Sequence, residues 1–244
     1  MKRYGLSGSA LKIIACVLMT IDHIGSRLLP QYAVLRLIGR LAFPIFAFCI
    51  AQGARYTRNK ARHLGLLLGF GVVWECVLIA YHGMWKGNIF LTFSLSTVLI
   101  YLWQYAMRAY GNSRLHGSLA LAVWVAAVAA VWGLTQHIHI EYRFWGIMAA
   151  VAVSLPMYTE GQTPHVLKRF DRLPVQLILL ATALFLQAFP TIGRTVQVYS
   201  IAAVGILAFY DGTAGNKRLK YAFYVFYPLH LIVIGIIQKL ILAF

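Results

Sequence analysis

A chain of 244 residues that is 61% hydrophobic and 11% charged holds more apolar surface than a soluble domain can hide, since such domains are nearer half apolar and about a quarter charged. Twenty-two Lys and Arg face only six Asp and Glu, a formal net charge of +16. The basic residues sit in short connections between apolar runs, which fits membrane topology and contact with anionic lipid and argues against nucleic acid, because no soluble segment carries a stacking platform or basic stripe.

Apolar runs occur at 11–29, 35–54, 63–82, 88–108, 117–137, 143–158, 174–190, 196–210 and 221–243. The pattern predicts an all-α, polytopic membrane helix bundle of about nine transmembrane helices in a single domain, 1–244. Several runs are shorter than the roughly 20 residues that cross a bilayer core. Residues 143–158 and 196–210 are the weakest, open to tilted, broken or interfacial helices. Lys2 and Arg3 precede an apolar run as in a signal peptide, but Lys12 and Asp22 interrupt that run, so it reads as a retained first helix.

Every second connection is basic: Lys2 and Arg3; Arg55, Arg58, Lys60 and Arg62; Arg108 and Arg114; Lys168, Arg169 and Arg172; Lys217, Arg218 and Lys220. The alternate connections hold single charges such as Lys86 and Arg194. With nine spans this puts the N-terminus in the cytoplasm and the C-terminus outside. The longest polar stretch, 159–173, is a loop rather than a domain. Cys16, Cys49 and Cys76 all fall in apolar runs and read as small hydrophobes, with no CxxC among them.

The first run, LKIIACVLMTIDHIG, carries Lys12, Asp22 and His23. Lys12 and His23 are eleven residues apart, almost three whole turns, so they share a face about 16 Å apart along the axis. Asp22 points about 100° away and need not touch the partners of His23. Ionisable groups at such depth usually face a bundle interior or a wet cavity. The structural alternative is a snorkelling lysine and a histidine bonded across helices.

In the second run Arg36 and Arg40 share a face at i, i+4, and Pro44 is expected to kink the helix and free carbonyls. The plainer reading is an interfacial arginine pair and an ordinary kink. Glu75 lies about mid-span, so it is expected to be protonated or paired, with Arg40, Lys12 and His23 the candidate partners by depth. Asn88 opens its span as an N-cap would. His137 and His139 read as loop histidines without a third ligand, and no metal site is predicted. His230 follows Pro228 inside the last run, as a second intramembrane imidazole with a substrate or structural role. No P-loop, GxSxG, HExxH or dinucleotide fingerprint is present. Histidine-based proton transfer is the chemistry left, carried by Asp22, His23, Arg40, Glu75 and His230.

KIIACVLMTIDHIG, GRLAFPIFAFCIAQG, GNIFLTF and FYPLHL, in that order along nearly the whole chain, resemble the TraX family. Its founding member is described as the acetyltransferase that acetylates the amino terminus of conjugative pilin. Lys12, ten intervening residues and then His23 are similar to the lysine/arginine–histidine signature of the wider membrane acyltransferase superfamily, whose members take an acyl group from acyl-CoA at the cytoplasmic face. The resemblance places His23 at the catalytic histidine and Lys12 at the basic signature position, with Arg40 and Asn88 in matching motifs. It implies a bacterial inner-membrane enzyme that takes acetyl-CoA as donor substrate and an unknown amine or hydroxyl acceptor: a pilin terminus, a glycan or a small molecule.

On that reading Arg55, Arg58, Lys60 and Arg62, with Lys12 just inside, are expected to receive the phosphates of acetyl-CoA. His23 is expected to act as general base, with transient acetylation of its ring as a variant. Orientation of that ring is expected from Asp22 if the helix is distorted, otherwise from Glu75 or another helix, with Arg40 at the developing oxyanion. A transporter or flippase-like carrier would also use intramembrane charges, though internal repeats are not seen. A non-enzymatic pilus or envelope assembly factor would show an apolar partner face and no response to CoA.

Overall fold

A computed structural model of the chain describes residues 5–158, 165–191, 196–216 and 219–242. Lys2, Arg3, Arg194, Lys217, Arg218 and the first part of the polar loop, 159–164, lie outside the described residues. The described residues form helices α1 (Gly8–Arg27), α2 (Ala33–Gly39), α3 (Ala42–Tyr56), α4 (Lys60–His82), α5 (Ile89–Asn112), α6 (Arg114–His137), α7 (Arg143–Ser154), α8 (Leu173–Ala188), α9 (Ala203–Leu207) and α10 (Lys220–Leu242). A 3-10 helix, Val196–Ala202, runs directly into α9. Among the described residues six spans are long and apolar enough to cross a membrane: α1, α2 with α3, α4, α5, α6 and α10. Three shorter apolar helices fall on the predicted runs 143–158, 174–190 and 196–210. The protein is a helical, multi-pass membrane bundle. Exposed side chains such as Leu119, Val123, Trp132, Ile232, Val233 and Ile236 supply the lipid-facing surface that the composition demands.

The chain divides into two compact units, 1–49 with 184–244, and 50–183. In the first, α1 and α2 form an antiparallel pair joined at two glycines. A Cβ on Gly25 would stand 2.6 Å from Leu35 Cβ, and one on Gly39 would overlap Asp22. Small residues at such crossings let helix backbones approach closely. α1 and α10 run parallel, because Lys12 Nζ lies 5.6 Å from the Phe223 ring centroid while His23 meets His230 further along both helices. Parallel first and last spans require an odd number of crossings.

The 3-10 helix with α9 shows how a short segment spans the bundle. Its start is fixed by Arg40 donating to Gln197 Oε1 at 3.4 Å, at the level of Asp22. Beyond its end, Leu6 N–H donates to Phe209 O at 2.7 Å and Gly8 N–H to Thr213 O at 2.7 Å. Seven residues of 3-10 and five of α-helix cover about 21 Å, the same rise as α1 from Gly8 to Asp22. Carbonyls of Thr213 and Ala214 and the Ser7 hydroxyl satisfy the first N–H groups of α1, which would otherwise be orphaned.

One expectation about the second run needs correction. The predicted Pro44 kink is absent from mid-helix, because Pro44 is the third residue of α3, in a first turn that needs no N–H from it. The break falls instead at Arg40–Leu41, between α2 and α3.

In the second unit α5 packs against α4, α6 and α7. Its polar side chains cap backbone in neighbouring elements: Thr92 donates to Glu141 O at 2.6 Å and Ser96 to Ile147 O at 2.9 Å. Glu75 is 2% exposed and lies toward the end of α4, and its charge partners are not Arg40, Lys12 or His23. Oε1 accepts the N–H of Lys86 at 2.5 Å and of Gly87 at 2.9 Å; Oε2 accepts Asn88 N–H at 3.0 Å and Nδ2 at 2.8 Å. Asn88 is the N-cap of α5, its Oδ1 accepting from Phe90 N–H at 3.0 Å. Glu75 thus pins the connection that turns α4 into α5.

Replacing Gly39 with valine should drive a side chain into Asp22 and cost about 1–3 kcal/mol, read as a lower melting temperature of the detergent-solubilised protein. Glu75→Ala should cost about 1–3 kcal/mol for each buried amide it orphans. Glu75→Gln, which keeps one acceptor oxygen, should cost less in the same measurement.

Candidate functional site

The first unit gathers His23, His230, Asp22, Arg36, Arg40 and Lys12. Lys12 and His23 both meet α10, at Phe223 and His230, as a shared face of α1 requires. His23 Nδ1 lies 2.8 Å from His230 Nε2, and His230 Nδ1 lies 2.9 Å from Phe226 O. The His230 ring is 7% exposed and stacks on Phe226, with centroids 5.1 Å apart.

That chain of contacts assigns the protons. A carbonyl oxygen only accepts, so His230 Nδ1 carries hydrogen and donates to Phe226 O. A neutral imidazole has one N–H, so His230 Nε2 is bare and accepts from His23 Nδ1–H. His23 Nε2 then holds the lone pair. No described residue makes a hydrogen bond to it. A histidine whose inner nitrogen is fixed by a neighbour and whose outer nitrogen is free has the form of an oriented general base.

Asp22 does not orient this ring. Its carboxylate receives Arg40 Nη2 at 2.9 and 3.0 Å and Arg36 Nη1 at 3.3 Å. Asp22 follows the helix period to the other side of α1, where it fastens α2. The partner of His23 is therefore on another helix, one of the alternatives left open by the spacing. Arg40 Nη2 is engaged by Asp22 and Nη1 reaches Gln197, which leaves Nε as its donor without a hydrogen-bond partner among the described residues.

The second unit holds the remaining candidates. Glu75 and Asn88 are consumed by the α4–α5 connection, with Asn88 Nδ2 also donating to Gly71 O at 2.8 Å. Arg55 pairs with Asp171 at 2.6 and 3.0 Å and donates to Tyr158 O at 2.9 Å, so its fork is already filled. Lys60 donates to Gln104 Oε1 at 2.7 Å and lies 4.9 Å from the Tyr101 ring centroid. Arg58 and Arg62 are exposed near the start of α4.

His230 is named from sequence as a second intramembrane imidazole for proton transfer, but its pairing with His23 carries no sequence signal. Arg36 was visible through its i, i+4 relation to Arg40. Gln197 and Ser200 carry no sequence signal, because a polar residue in a short apolar segment is ordinary. Ser200 is fully buried, and its Oγ has no hydrogen-bond partner among the described residues.

The chain is similar to three curated proteins. It is 28% identical over 251 residues to the probable fimbrial assembly protein FimC, serogroup H1, of Dichelobacter nodosus, covering 92% of this chain and 93% of that protein. It is 25% identical over 235 residues to protein TraX of Escherichia coli, covering 93% and 85% respectively. A shorter match, 29% over 116 residues, joins 47% of this chain to 45% of the uncharacterized protein RP591 of Rickettsia prowazekii (strain Madrid E). No solved structure matches. The family described as TraX protein matches residues 7–238, which include every residue of the histidine relay and the arginine pair, and the chain belongs to that family.

Proposed function

We propose that this chain is an acetyltransferase of the bacterial inner membrane that takes its acyl group from cytoplasmic acetyl-CoA, with His23 as general base. The single observation that carries the reading is the relay from Phe226 O through His230 to His23, which leaves His23 Nε2 as a free lone pair. The acceptor is an amine or hydroxyl. Its nitrogen or oxygen attacks the thioester carbonyl carbon and forms the new C–N or C–O bond. The C–S bond breaks and its electron pair leaves on sulfur. The acceptor proton passes to His23 Nε2 and then to the departing thiolate, giving the acetylated acceptor and CoA thiol. While His23 is charged, its Nδ1–H donates to His230, so the relay stabilises the imidazolium that the reaction creates.

Lys12 stands three turns below His23 on the face that meets α10, at the cytoplasmic end if the basic connections set the topology. Of the basic residues expected to receive CoA phosphates, Arg55 is committed to Asp171. The names of two relatives, a probable fimbrial assembly protein and protein TraX, support a pilus subunit as acceptor. The fimbrial name also favours a second reading, a non-enzymatic assembly factor, which predicts no acetyl transfer and no stabilisation by CoA.

Purified protein given acetyl-CoA and envelope extract should transfer acetyl mass. His23→Ala should lower turnover by about 10²–10⁴-fold, the usual contribution of a general base, while CoA still raises its melting point as a native-state ligand must. Unchanged turnover in His23→Ala rejects the assignment. His230→Phe, which keeps the ring but removes the acceptor nitrogen, should lower kcat with little change in KM for acetyl-CoA and alter the pH profile of kcat. Equal profiles would leave His230 a packing residue.

A further inference from the structure

We propose that Arg36 and Arg40, with Ser200 alongside, form a subsite for one anionic group, a carboxylate or phosphate, on the acyl acceptor. The assignment to an acceptor rests on the acyl-transfer reading; the anion site itself does not. One carboxylate, Asp22, meets two guanidiniums there. Among the described residues no second acid is paired with them. An uncompensated charge at membrane depth is costly, and the side chains of Asp22 and Arg40 are only 12% and 15% exposed. The surplus calls for a negative group from outside the chain.

Two orphaned atoms mark where it would bind. Arg40 Nε is buried and has no hydrogen-bond partner among the described residues, and neither has Ser200 Oγ. Gln197 meets Arg40, and residues three apart eclipse in a 3-10 helix, so Ser200 stands on the same face about 6 Å further along. That helix packs on α2, which carries Arg36. A carboxylate or phosphate can accept Nε–H of Arg40, an N–H of Arg36 and the Ser200 hydroxyl together. An oxyanion formed only during reaction would leave the resting site unbalanced, so the geometry favours a group already charged on arrival. Asp22 and His23 are consecutive on α1 with side chains about 100° apart, so an acceptor anchored at the arginines meets the turn of α1 that carries the base, on the adjoining face. A lipid phosphate offers the same chemistry.

The test uses the full chain in two settings. In detergent, acetate or inorganic phosphate is titrated against chloride at fixed ionic strength; in nanodiscs, phosphatidylcholine is compared with phosphatidylcholine plus phosphatidylglycerol. Thermal unfolding should show stabilisation by the soluble anions, largest in Asp22→Asn, smaller in wild type, and reduced in Ser200→Ala and Arg36→Gln. Arg36→Gln leaves the closer Asp22–Arg40 pair intact and serves where Asp22→Asn does not fold. Acetate or phosphate should also inhibit acetylation of envelope extract competitively with the acceptor, raising its KM at constant kcat, and this inhibition should fall at least tenfold in Arg36→Gln. Equal stabilisation of wild type and Arg36→Gln, or none, overturns the site. Stabilisation by phosphatidylglycerol alone, or inhibition that leaves the acceptor KM unchanged, overturns the acceptor assignment. Acetyl transfer failing in wild type while anion stabilisation persists rejects the acyl-transfer reading and keeps the anion site.

Discussion

The pairing of Asp22 with Arg36 and Arg40 is the contact on which the first unit depends. It joins α1 to α2 where Gly39 lets the two backbones close, and through Arg40 it reaches Gln197 at the start of the 3-10 helix. In lipid no water can satisfy a stray carboxylate or guanidinium, so such a cluster has to be assembled inside the protein. Its position on α1 then decides what His23 can do. With Asp22 turned to the arginines, His23 is turned toward α10 and its imidazole partner.

The chain has six acidic residues, and four of them sit at joints. Asp22 fastens α1 to α2, Glu75 pins the connection from α4 to α5, and Asp171 holds Arg55 at the end of α3 while accepting from Gln176 near the start of α8. Asp211 accepts from the N–H and hydroxyl of Thr213 in the turn before α10. Each carboxylate takes several donors, which is how a buried acid offsets its desolvation. Those four acids are committed to their joints, and among the described residues Asp22 is the acid paired with the two arginines of α2. The positive excess near His23 is thus a consequence of architecture as well as a feature of the site.

Hydropathy alone made the long helices legible, since about twenty apolar residues in a row have few other uses. The shared face of Lys12 and His23 was legible as well, because helical period fixes direction along one helix. Which group meets which across helices was not legible. Depth can be counted from sequence, whereas the rotation of one helix against another cannot, so depth pairs Glu75 with Arg40, Lys12 or His23, while its carboxylate takes the amides of Lys86, Gly87 and Asn88. Pro44 was misjudged because its effect depends on whether a turn precedes it, and the break at Arg40–Leu41 carries no proline or glycine at its centre. The short span at 196–207 was hard to place because a 3-10 segment rises about 2.0 Å per residue. Counting at the α-helical rise makes it look shorter than the roughly 21 Å it covers.

His23 and His230 are 207 residues apart in sequence, yet their rings share a hydrogen bond. The base is encoded in the first span and the group that sets its tautomer in the last. Pro228, two residues before His230, removes the N–H that would have bonded the Tyr224 carbonyl, so α10 is least constrained by its own backbone close to where the imidazole must be aimed. Until α10 packs, His23 has no fixed partner, and either nitrogen could carry the proton. Docking of the last helix converts a polar residue on α1 into a ring with one committed nitrogen and one free. The chemistry of the site is therefore set by the closing of the first unit, with α1 supplying the lone pair and α10 deciding which nitrogen presents it.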